Sequence, residues 1–218
     1  MKLSTRTVQI LKSFSSINPS IQFKEGNVLK TISPNKTIMA RATLEDNLPS
    51  TFSIYDLSRF LGVMTLFDDP DFAVEEKLVT IRSAGRKVNY AFADPSTLIL
   101  PPERDIELSD AEVNFELKQE QFAEVIKALG VMSLPDLVIV GDDGKILLRA
   151  TDTKNPSSDK YDIEVGTTDR QFEAVFKTEN VKILPDTYQV SLSSKGISNF
   201  KSSDVEYWIS IESNSNFS

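Results

Sequence analysis

The sequence contains no cysteine and no histidine among its 218 residues. That removes disulfide frameworks, thiol nucleophiles, Ser-His-Asp triads, histidine general bases and nearly every zinc or copper site. Any catalysis would have to rest on paired carboxylates, lysine, tyrosine or an oxygen-bound cation. Long apolar runs are also missing, so no segment reads as a membrane span and no membrane partner is expected. Lys12 and several serines interrupt the opening stretch where a signal peptide would need a continuous apolar core, which points to a cytoplasmic protein. Positive charge is in deficit: 24 Lys and Arg stand against 32 Asp and Glu, a formal net charge of −8. A surface of that sign disfavours broad contact with nucleic acid but leaves room for one local basic lining.

The first seventeen residues, "MKLSTRTVQILKSFSSI", run against this balance, carrying Lys2, Arg6 and Lys12 and no carboxylate. At 100° per residue, Leu3, Thr7, Ile10, Leu11 and Phe14 share one stripe, and the basic residues fall on the opposite face. The spacing predicts an amphipathic helix over 4–17. Leu57, Phe60, Leu61 and Met64 predict a second over 55–66, with Asp56 as its cap or first-turn acid. Phe122, Val125, Ile126 and Leu129 predict a third over 118–130, ended by Gly130. A short fourth is expected around 177–185, stopped by Pro185. These four stretches together sum to +3, which leaves −11 for the remainder. Positive charge is therefore gathered onto the helices.

The segments between them read as strands. "IQFKEGNVLKTI" and "LVIVGDDGKILLRA" each read as a hairpin around a glycine-containing turn. The order of elements repeats: a shift of 115 residues lays Ile10 on Val125, Leu11 on Ile126, Lys12 on Lys127 and Phe14 on Leu129. The expected fold class is therefore α+β, with two similar domains over 1–105 and 106–218. They are joined by an extended, Pro- and acid-rich connector at about 93–112.

Several chemical motifs fall short. "GDDGK" at 141–145 lacks the spacing of a phosphate-binding loop and reads as a hairpin turn. "DDPD" at 68–71 lacks the spacing and glycine of a calcium loop. No carboxylate pair is marked out for glycoside hydrolysis, and Trp208 reads as sheet filling. No catalytic residue, metal or cofactor is expected. Two alternatives stay open on the residues alone: a monomeric β-rich interaction or structural protein with an internal duplication, and a carboxylate-dependent hydrolase.

"MKLS" at 1–4, "LKSF" with "IN" at 11–18, "IYDLSRFLG" at 54–62 and "ADPST" at 93–97 carry a resemblance. In these stretches the sequence resembles the sliding clamps of T4-like bacteriophages, with the likeness strongest in the first hundred residues. The resemblance implies a homotrimeric ring of six similar domains, two helices per domain on the inner wall and antiparallel sheets outside. It also implies a non-enzymatic processivity factor that encircles double-stranded DNA without reading it, tethers a DNA polymerase, is opened by a clamp loader and works in the cytoplasm of an infected bacterial host. Twelve helices spaced about 8–10 Å apart would form a circle of roughly 30–40 Å through their axes. On this reading Lys12 and Lys127, matched by the repeat, lead the DNA-facing candidates, followed by Arg6, Arg59, Lys118, Lys177 and Lys182. Leu98, Ile99 and Leu100, consecutive apolar residues in the polar connector, take the client-peptide role. Val88, Tyr90 and Phe92, with Phe172 and Val175, are the candidates for subunit contact, since a ring needs complementary sheet edges.

Overall fold

A computed structural model describes residues 1–104, 106–181 and 183–217 of the chain. The chain divides into two compact units, Met1–Arg104 and Asp105–Ser218. The first unit runs α1 (Thr5–Ile17), β1 (Ile21–Phe23), β2 (Gly26–Ile32), β3 (Ile38–Leu48), β4 (Phe52–Ile54), α2 (Leu57–Met64), β5 (Asp71–Val74), β6 (Leu78–Ser83) and β7 (Arg86–Ala91). A 3-10 turn, Pro95–Thr97, comes next. Ser4 starts α1: its Oγ accepts from the Thr7 N–H at 3.1 Å, satisfying a donor that has no partner inside the helix. Thr7, Ile10, Leu11, Phe14 and Ile17 are buried, the stripe that the periodicity predicts. Asp56 caps α2 in the same way, accepting from the Arg59 N–H at 2.8 Å, while Leu57, Phe60, Leu61 and Met64 go inward.

One expected hairpin does not form. β1 pairs with β4, and β2 pairs with β3 instead. Gly26, at φ 102°, takes a left-handed conformation that redirects the chain between β1 and β2. The third sheet of the unit has the order β5-β6-β7. The core of the unit is partly aromatic: Phe23 of β1 stacks on Phe52 of β4 at 4.6 Å, Phe52 on Phe92 at 5.0 Å, and Tyr90 meets Phe60 of α2 edge-on at 5.2 Å.

The second unit runs β8 (Val113–Leu117), α3 (Gln119–Met132), β9 (Asp136–Asp142), β10 (Lys145–Thr151), β11 (Tyr161–Thr167), β12 (Phe172–Lys177), β13 (Tyr188–Ser193), β14 (Ile197–Lys201), β15 (Val205–Ser210) and β16 (Asn216–Phe217). One sheet has the order β11-β10-β9-β12-β16. In the other layer β8, β13, β14 and β15 pair in succession, all antiparallel. The β9–β10 hairpin forms as expected, with Asp143 and Gly144 at φ 46° and 77°, the left-handed pair that a two-residue hairpin turn needs. Tyr188 sits at the centre of the core, edge-on to Phe122, Phe200 and Tyr207. Trp208 is buried in β15.

The fourth expected helix is absent among the described residues. After β12 the chain makes a 3-10 turn, Thr178–Asn180. The reason lies in the hydrogen bonding of Leu184: its carbonyl accepts from the Tyr188 hydroxyl, and its N–H donates to the Tyr207 hydroxyl at 3.3 Å. These bonds occupy backbone groups that a helix would use internally, and Pro185 supplies no N–H to continue one. Among the described residues, the expectation of two helices per domain is corrected to two in the first unit and one in the second.

Candidate nucleic-acid interface

The helices set the placement of the cationic side chains. On α1 the wet face carries Lys12, exposed, and no carboxylate; Arg6 is half-buried. On α2, which packs against α1, Arg59 is exposed. On α3, Lys127 stands exposed opposite the buried Phe122, Val125 and Leu129. Lys118 is exposed at the N-cap, its backbone N–H held by Gln121 Oε1 at 3.1 Å. The acidic residues of α3 are the obvious objection to a basic lining. Glu124 answers part of it, because its carboxylate is drawn sideways to accept from the Tyr161 hydroxyl of β11. That bond is the first cause of the upward shift of the Tyr161 pKa.

Lys177 is a correction. It ends β12 instead of starting a helix, and its ammonium donates to Asp136 Oδ1. Asp136 is fully buried and also accepts from the Thr153 N–H at 2.8 Å and from the Thr153 hydroxyl at 2.6 Å. Burial works to raise the Asp136 pKa, but the bonds from Lys177 and Thr153 outweigh it and hold the carboxyl below its ordinary value. Lys177 is thus committed inside the unit. Lys182 lies outside the described residues.

The strand edges correct a second assignment. Phe172 and Val175 are buried, and β12 lies between β9 and β16. The Val175 N–H donates to Ser215 Oγ at 2.9 Å, and its carbonyl accepts from the Glu212 N–H at 2.9 Å, so both outward groups are taken. The strand at the open side of that sheet is β11. It carries a bulge opposite Ile146–Leu147, a common means of blunting an edge. Gln121 of α3 donates to its Glu164 carbonyl at 3.3 Å, which sets the helix alongside. In the first unit β7 pairs, among the described residues, with β6 alone, while Val88, Tyr90 and Phe92 are half-buried. The Tyr90 hydroxyl donates to the Asp56 carbonyl at 3.1 Å.

Three exposed apolar residues were not marked by periodicity: Leu66, 59% exposed just past α2, and Val131 and Met132, 76% and 36% exposed at the end of α3. Leu66 lies beside β7, since Arg86 Nη1 donates to its carbonyl at 3.0 Å. The available signal was an apolar pair after Gly130, of which Val131 falls off the buried stripe of the helix.

The connector is pinned to the first unit. Asn18 Nδ2 donates to the Ile32 carbonyl at 2.8 Å and to the Ile99 carbonyl at 3.3 Å. Lys24 pairs with the Glu103 carboxylate at 2.7 Å, and Lys30 Nζ donates to the Glu103 carbonyl at 3.1 Å. Leu98 is half-buried, while Ile99 and Leu100 are 44% and 40% exposed. Leu100, Pro101 and Pro102 line a groove of about 200 Å³ together with Val28, Lys24 and Lys30. "ADPST" is a local stop signal: Asp94 accepts from the Ser96 N–H at 2.9 Å and caps the 3-10 turn.

Two units of layered antiparallel sheet, with cationic helix faces turned to solvent, define a protein of the DNA-clamp fold. Solved structures share it. The A. fulgidus PCNA, solved with the C-terminal region of FEN-1 bound, superposes with a TM-score of 0.71 at 14% identity, over 96% of both chains. The Helicobacter pylori beta clamp, solved with a DNA ligase peptide bound, gives 0.72 at 14% identity, over 97% of this chain and 65% of that one. Sequence carries the identification further. Residues 2–100 match the DNA polymerase processivity factor family, and residues 114–213 match the C-terminal region of the gp45 sliding clamp. The chain is 32% identical to the sliding clamp of Vibrio phage KVP40, over 97% of this chain and 99% of that one. It is 28% identical to that of Enterobacteria phage T4, over 99% and 98%. The chain belongs to the sliding-clamp family: it is a processivity factor of DNA polymerase, with no catalytic activity of its own.

Proposed function

We infer that three copies of the chain close head to tail into a ring around duplex DNA. The observation that carries this reading is the pair of open sheet edges. β7 in the first unit lies beside exposed Leu66, and β11 in the second lies beside the helix that ends in exposed Val131 and Met132. Two different edges with apolar flanks suit a heterologous contact, which closes into a ring when the rotation permits. β11 takes the place first given to Phe172 and Val175. Counting the described residues, three copies bring nine helices, not twelve, so helix spacing alone does not set the bore.

Lys12, Arg59, Lys118 and Lys127 face the phosphate backbone, with Arg6 beside them on α1. Their attraction is mild and independent of sequence, which suits movement along the duplex. The acidic remainder of the surface resists DNA elsewhere. The connector, with Leu98 and Ile99 leading into the groove that Leu100 lines, receives a segment of the polymerase, and a clamp loader opens the ring in the cytoplasm of the infected bacterium. The test is primer extension on a circular template with the cognate polymerase and loader. Lys12→Glu combined with Lys127→Glu shortens the products by about ten-fold at fixed salt while leaving the fold intact. Unchanged product length would reject these residues as the lining.

A further inference from the structure

The outer edge of β12 is covered by a polar piece of the same chain. Residues 212–217 contain one apolar side chain, that of Phe217, which is half-buried, while Ser213, Asn214 and Asn216 are exposed. The hold is slight. β16 meets β12 at two register positions, Phe172↔Phe217 and Glu173↔Asn216, against six between β12 and β9. Further along, the Val175 N–H is satisfied by a serine hydroxyl where a neighbouring strand would offer a carbonyl. The Ser215 N–H then closes back on the Glu212 carbonyl at 3.0 Å, so the segment turns on itself and the ladder stops.

The surface beneath this segment is more specific. The Phe217 ring stacks on Phe172 at 5.8 Å and 11°. Phe172 in turn lies across Gly141, where an added Cβ would come within 2.3 Å of its ring. The glycine leaves the space in which the Phe172 ring can lie flat, and that flat ring offers its outer face to a second aromatic. A hollow of about 120 Å³ continues beside it, lined by Glu112, Val113, Arg170, Ser194, Phe172 and Phe217.

An open strand edge with a seat for one alternate side chain is the chemistry of strand addition. We propose that residues 212–217 are an internal occupant of a strand-addition site on β12, and that the vacated site takes an extended partner peptide with an aromatic residue in the place of Phe217. The tethered segment holds the site by its high effective concentration despite two paired positions. A partner that pairs along 172–175 and supplies the ring displaces it. The site belongs to the second unit alone and depends on neither ring closure nor DNA.

The probe is a fluorescein-labelled peptide of residues 211–217, Ile-Glu-Ser-Asn-Ser-Asn-Phe, added to the full chain and to the full-chain variant Asn216→Pro with Phe217→Ala. The variant evicts its own segment, because proline removes a ladder donor and alanine removes the ring. Fluorescence polarisation is expected to show at least ten-fold tighter binding to the variant. Amide shifts should centre on Gly141, Phe172, Glu173 and Val175, and a peptide with alanine for phenylalanine should lose at least ten-fold in affinity. Equal binding to both proteins, or shifts elsewhere, would overturn the proposal. So would self-association of the variant through the freed edge without peptide capture, seen as a doubled mass. Should the double variant not fold, Phe217→Ser alone is read by hydrogen exchange: the Glu173 and Val175 amides exchange at least ten-fold faster while Ile139 in β9 is unchanged. Unaltered exchange at all three would equally refute it.

Discussion

Each unit sets one long helix ahead of a strand hairpin, α1 before β2–β3 and α3 before β9–β10, and beyond that the two part company. Where the first unit places a capped helix, α2, with four buried side chains, the second has a 3-10 turn between Lys177, paired with buried Asp136, and Leu184, whose backbone groups bond two tyrosine hydroxyls. One solution is apolar, and the other is polar and specific. The contrast shows that a unit can do without a second helix, provided the freed backbone groups find other partners.

The sharpest way to break the comparison is to remove the polar anchor. Asp136→Ala leaves the Lys177 ammonium without its carboxylate and is expected to cost roughly 3–5 kcal/mol in the second unit. Denaturant unfolding tracked by amide exchange should show α2 and its neighbours keeping their protection; a loss below about 1 kcal/mol would mean that the pair is ornamental. The mirror experiment, Phe60→Ala, removes the ring that links Phe23, Phe72 and Tyr90 and should cost a similar amount, about 3–5 kcal/mol, in the first unit only.

Acid should separate the units more gently. The folded pKa of Asp136 lies below its unfolded value, so its contribution is fully present above the ordinary carboxylate range and is lost as pH falls through the folded value. Lys177 is shifted upward, by the Asp136 bond first and by the nearby Glu212 and Asp152 charges as well. Its contribution is therefore lost only as pH rises through that raised value. Below about pH 4 the second unit should weaken beyond the first, and Asp136→Asn should remove most of that difference. Parallel acid titrations of the two units would contradict the role given to the pair.

The smallest expected effect concerns helix starts. Ser4→Ala should cost about 1 kcal/mol through lost capping of α1. Lys118→Ala should leave α3 unchanged, since a lysine has no oxygen to accept from the first turn. Equal helix fraying in the two variants, read by exchange at the first-turn amides, would remove that distinction.

These contrasts mark what was legible in the residues. α1, α2 and α3 could be read because their apolar stripes and caps are local, and the observed bounds fall within two residues of the expected ones. The β1–β4 pairing could not, because nothing near Gly26 names a partner strand beyond the whole of β2 and β3. Lys177 looked like a helix cation until the fold brought it to Asp136, forty-one positions distant. The only local hint was an aspartate opening the apolar run "DLVIV". β11 alternates, with Asp162 and Glu164 between its apolar residues, where β12 runs Phe-Glu-Ala-Val-Phe; that near-continuous apolar run marks a strand buried between neighbours, a cue against placing subunit contact there. Leu66 and Val131 stand off their helical stripes, a signal visible in sequence but not distinctive by itself, while Met132 continues the stripe of α3 at its exposed end.

The most direct measurement is the mass of the protein in solution by light scattering at micromolar concentration. Closure of β7 onto β11 requires a species three times the 24.4 kDa chain mass, reduced toward one chain by Leu66→Glu or Val131→Glu. A wild-type protein that stays at the mass of one chain, or stops at two, would contradict the ring.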